Sequence, residues 1–80
     1  MEKKIKVEWC ENWIRATFAK LPEGITGIYT GHFWELAEKS GLYVHGTYGS
    51  PMSQALGNLT KLDETKDEDG NTIFTSFVLK

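Results

Sequence analysis

Ile5-Lys6-Val7-Glu8-Trp9-Cys10-Glu11-Asn12-Trp13-Ile14-Arg15-Ala16-Thr17-Phe18-Ala19-Lys20-Leu21 is the stretch on which the architecture turns, because it satisfies two periodicities at once. With a period of two, Ile5–Trp9 and Ile14–Phe18 are strands and Glu11-Asn12 the turn of a hairpin. Trp9 then faces Ile14, Val7 faces Ala16 and Ile5 faces Phe18, while Glu8 meets Arg15 on the other side. With a helical period, Trp9, Cys10, Trp13, Ile14, Thr17, Phe18 and Leu21 share one face. No capping residue precedes Trp9, and the stretch is rich in aromatic and β-branched residues, so the hairpin is the expectation and the helix its rival.

Leu21-Pro22-Glu23-Gly24 ends this element, and residues 25–29 continue as an extended or irregular link. Thr30 is expected to cap a helix over residues 31–39. Phe33, Leu36 and Ala37 form its apolar face, Glu35 and Lys39 are spaced four apart, and Gly41 supplies the stop. A strand over residues 42–48 follows, with Tyr43, His45 and Thr47 on its polar face. Ser50 as cap and Pro51 at the first position predict a short helix over 51–57, ended by Gly57. Leu59–Lys66 and Thr72–Leu79 read as a hairpin closed by Asp67-Glu68-Asp69-Gly70-Asn71, where Asp-Gly supplies the positive φ of the turn. The expected fold is a single α+β domain over residues 1–80, approximately ββαβ(α)ββ, with a mainly antiparallel sheet and two helices.

Pairing parity in the second hairpin places Leu62 with Ile73, Phe77 and Leu79 on a core face and leaves Phe74 and Val78 on the other. The first hairpin likewise leaves Cys10 and Trp13 outside. Cys10, Trp13, Phe74 and Val78 are therefore the candidate interface, and a protein partner or homo-oligomer is expected to shelter them. The leading functional expectation is a non-enzymatic protein-interaction module that uses a sheet face or edge.

The second expectation is a small-ligand or anion site at the Gly46–Gln54 loop, where His45, Tyr48, Ser50 and Ser53 lie beside a helix N-terminus. Catalysis through Ser50 or Ser53 with His45 lacks a third member and a nucleophile elbow. Cys10 has no local group to lower its pKa, and Cys10, His32 and His45 lack metal-ligand spacing. In the acidic run Asp63–Asp69, alignment of a calcium loop on Gly70 puts Thr65 and Ser76 at the two strongest ligand positions, so a hairpin turn is expected there. Neither metal nor cofactor is implied.

Three Trp, three Tyr and four Phe among 40% hydrophobic residues suffice for a folded core. The net charge of −2 disfavours nucleic acid, with Lys3, Lys4 and Lys6 read as a solvated strand end. A lone cysteine, no apolar leader and no spanning segment lead to an expectation of a cytoplasmic chain without a membrane partner, in which Asn58-Leu59-Thr60 is a chance glycosylation match.

Phe18-Ala19-Lys20-Leu21-Pro22-Glu23-Gly24-Ile25-Thr26, followed by a helix, resembles the strand, proline turn and helix of HicB-type antitoxin domains. The likeness covers about a third of the chain. Where that family has Phe-Pro-Asp-Leu-Pro-Gly, Ala19 and Lys20 depart from it and Glu23 pushes the glycine back. The resemblance implies an antitoxin-like protein that binds a small toxin; no residue role is carried over from it.

Overall fold

The computed structural model describes residues 5–43 and 50–80. The elements are α1 (Val7–Ala19), β1 (Gly27–Tyr29), α2 (Thr30–Ser40), α3 (Pro51–Leu59), β2 (Thr60–Lys66) and β3 (Thr72–Leu79). Three helices pack with a three-stranded antiparallel sheet of order β1-β3-β2, so the class is α+β as expected.

The ambiguous N-terminal stretch is a helix, and the first hairpin does not form. Lys6 at the N-cap makes no side-chain capping bond, as the sequence warned, yet Glu8 complements the first turn and Cys10, Ile14 and Phe18 lie one turn apart on the buried face. Burial settles the choice: Cys10 and Ile14 are wholly inaccessible, whereas Trp9, which the hairpin would have turned inward, stays 38% exposed. β3 is already paired on both sides, by β1 and β2.

β1 is a short strand where only a link was expected, and it pairs Gly27 with Val78, Ile28 with Phe77 and Tyr29 with Ser76. Gly27 is required at its place, because a Cβ there would stand 2.9 Å from Val78 Cγ1 and 3.3 Å from the Phe77 carbonyl. Thr30 is the first residue of α2 and does not cap it; Tyr29 occupies the N-cap, and the Thr30 hydroxyl pairs instead with that of Thr75 at 3.3 Å. Gly41 ends α2 at φ 81° as anticipated.

The strand expected over residues 42–48 lies largely outside the described residues, and Leu42 and Tyr43 are not in a strand. α3 begins at Pro51 behind the Ser50 cap, as expected, but passes through Gly57 to Leu59. Gly57 costs this helix propensity without ending it, since the Thr60 hydroxyl donates to the Leu56 carbonyl at 2.7 Å and closes the last turn.

The core joins Cys10, Ile14 and Phe18 of α1 to Ile28 of β1, Phe33 and Ala37 of α2, and Met52, Ala55 and Leu56 of α3. Phe33 sits at its centre, with Trp13, Trp34 and Phe77 edge-on to it at 5.5, 5.7 and 5.1 Å. β2 and β3 run on beyond this core as an arm. Leu62, Ile73 and Leu79, expected in the core, are 61, 58 and 43% exposed, and of that set only Phe77 packs against the buried cluster. The pairing shifts between Thr65 and Lys66, leaving Ile73 as the extra residue of a bulge near the turn.

Candidate interaction surface

The register divides the sheet into two faces. Thr60, Leu62, Thr75, Phe77, Leu79 and Ile28 belong to the face on which the helices sit, through the Phe33 and Trp34 contacts with Phe77. The other face carries Gly27 and Tyr29 from β1, Phe74, Ser76 and Val78 from β3, and Lys61, Asp63 and Thr65 from β2. There Tyr29 and Phe74 stack edge to face, centroids 4.8 Å apart, yet remain 57 and 39% exposed. Val78 is half-buried. Ile25, ahead of β1 and 52% exposed, borders one hollow with Lys61, Asp63 and Val78, and the end of α1 walls the same hollow through Phe18, with Leu21 just beyond it. Tyr29, Phe74 and Val78 thus lie on the sheet face opposite the one that Phe33 and Trp34 contact, with the end of α1 bordering it only near Val78.

Two of the four expected interface residues, Phe74 and Val78, lie on this face. The other two do not, because the hairpin that would have turned them outward is a helix. Cys10 is wholly buried, its thiol 3.9 Å from the Leu42 carbonyl, and burial pushes its pKa above the ordinary 9.0. Trp13 is half-buried with its ring against Phe33. The sequence reading did not single out Ile25, Tyr29, Lys61 or Asp63: the pairing of β1 with β3 brings Tyr29 to Phe74, while the hairpin parity that placed Val78 also places Lys61 and Asp63.

The loop candidates fare differently. His45 and Tyr48 lie outside the described residues. Ser50 is 4% exposed and its Oγ accepts the Ser53 backbone N–H at 3.2 Å while pairing with Ser53 Oγ at 3.1 Å. Its hydroxyl is engaged in capping α3. Among the described residues no group of three His, Cys, Asp or Glu side chains could hold a metal ion. In the acidic turn, Asp67 Oδ1 accepts the backbone N–H groups of Asp69 and Asn71, both at 2.9 Å, and Gly70 takes φ 84°. That carboxylate organises the turn as an Asx motif.

A second concavity of about 370 Å³ lies between α1 and α2, walled by Trp13, Leu21, Ile28 and Leu36 with Lys20 and His32 at its rim. The two hydroxyls beside it are engaged in their own helices, Thr17 donating to the Trp13 carbonyl and Ser40 to that of Ala37.

Of the residues in the HicB resemblance, Phe18 and Ala19 lie in the last turn of α1 and not in a strand, while the proline turn does form, the Ile25 N–H donating to the Pro22 carbonyl at 3.0 Å. No described helix is long and apolar enough to cross a membrane. Comparison with protein-family models, with curated proteins and with solved structures found no match.

Proposed function

We propose that this chain is a non-enzymatic interaction module whose open sheet face binds protein. The observation that carries the reading is the Tyr29–Phe74 pair, two large aromatics in contact with each other and still substantially exposed. Aromatic side chains of this kind supply area at low entropic cost and dominate protein interfaces. The outer edge of β2 is a poor site for strand addition, since Lys61, Asp63, Glu64 and Lys66 charge it. The face therefore carries the interaction.

A photo-reactive amino acid in place of Phe74, compared with one in place of the exposed Glu35 on α2, tests the reading. Covalent adducts to protein, whether to a second copy or to another chain, are expected from position 74 and not from position 35. Absence of adducts from position 74 overturns it.

A further inference from the structure

We infer that the occupant of the open face is a second copy of this chain, packed sheet on sheet about a two-fold axis; this rests on the interaction-surface reading above and names its partner. The order of residues on the face points to it. Across the three strands Gly27, Val78 and Lys61 form one row, and Tyr29, Ser76 and Asp63 form the next. A two-fold axis lying in the interface, across the strands and between these rows, exchanges them. Each row of one copy then lies over the other row of its mate.

Three complementary meetings follow from that single operation. Lys61 lies over Asp63 of the second copy and Asp63 over Lys61, giving two reciprocal ion pairs. Neither residue has an ion pair among the described residues. Tyr29 lies over Gly27, the one position on the face with no side chain of its own. Val78 and Ser76 close over that position, Val78 Cγ1 2.9 Å and Ser76 Cβ 3.4 Å from where a Cβ would stand, so the incoming ring rests on a valine methyl. Val78 lies over Ser76, a large residue over a small one. Opposite charges two residues apart on one strand complement the same strand reversed, whereas a face of one sign would call for a partner of the other. The net charge of −2 opposes such pairing little.

The face is three strands wide, on the order of 14 Å at the usual strand spacing. Such an interface belongs to the small class, in which association is weak and reversible.

Charge reversal with exchange tests the inference. Molar mass is measured by sedimentation equilibrium from low micromolar to near-millimolar protein, with circular dichroism to confirm that each variant is folded. The wild-type chain is expected to dimerise. Lys61→Glu and Asp63→Lys, each of which sets like charges against each other, are each expected to weaken dimerisation about tenfold or more. An equimolar mixture of the two is expected to regain it as a heterodimer. There the carboxylate introduced at position 61 of one variant meets the ammonium introduced at position 63 of the other, and the unaltered Asp63 of the first meets the unaltered Lys61 of the second. A wild-type chain that stays monomeric throughout overturns the inference, as does a dimer insensitive to both reversals. The photo-reactive group at position 74 separates the two readings: adducts to another protein from a monomeric chain remove the second copy and leave the interaction surface standing, while no adducts at all remove both.

Discussion

The ring of Phe33 stands edge-on to that of Phe77, centroids 5.1 Å apart, and this contact ties α2 to the central strand of the sheet. Phe33 is wholly buried and also touches Trp13 and Trp34, so every layer of the fold converges on it. Phe33→Ala is expected to cost about 3–5 kcal/mol, comparable to the entire stability of a domain this size. Phe33→Leu should cost less and leave a folded chain, and urea titration of both variants measures the difference.

Gly27 and Gly57 make opposite predictions for the same substitution. A methyl at Gly27 would be driven into Val78 and the Phe77 carbonyl, so Gly27→Ala is expected to destabilise by about 1–3 kcal/mol. Gly57 lies inside α3 with open space around it, and Gly57→Ala is expected to stabilise by about 0.5–1 kcal/mol. Thermal melts of the two variants should move in opposite directions.

Ser50 caps α3 by accepting the Ser53 N–H at 3.2 Å. Ser50→Ala is expected to cost about 1 kcal/mol, while Ser50→Asp should retain most of the capping, its carboxylate favoured by the helix dipole though its burial works against it. Chemical denaturation of both variants checks the assignment of this hydroxyl to structure.

Cys10 links stability to alkaline pH. Its thiol is buried and its pKa is raised by desolvation, so the folded chain holds the proton more tightly than the unfolded chain does. The contribution is complete below the ordinary value of 9.0 and is lost as pH rises through the folded value. Cys10→Ala should therefore show a shallower loss of stability above that pH than wild type. Alkylation of the native thiol should be slow and should accelerate sharply in denaturant.

Local chemistry made much of the fold legible. The Gly41 stop, the Ser50-Pro51 start and the Asp-Gly turn each depend on backbone needs that a few neighbouring residues reveal, and each stands where expected. The α1 segment was not legible in this way, because its apolar residues satisfy both periods and the deciding quantity is burial against α3, a helix some forty residues away. Half of the interaction surface could be read from parity in the second hairpin, which turns Phe74 and Val78 to one side. The same parity turns Lys61 and Asp63 to that side, whereas Tyr29 needed the pairing of β1 with β3, a contact between residues 27–29 and 76–78 that no local pattern encodes.

The most direct test of self-association through the open face is a concentration series of backbone amide NMR spectra. Progressive shifts are expected at Gly27, Tyr29, Lys61, Asp63, Phe74, Ser76 and Val78, with the outward residues of α2 and α3 unmoved. Spectra that do not change with concentration, or changes that map to α3 and leave the sheet untouched, would contradict the account.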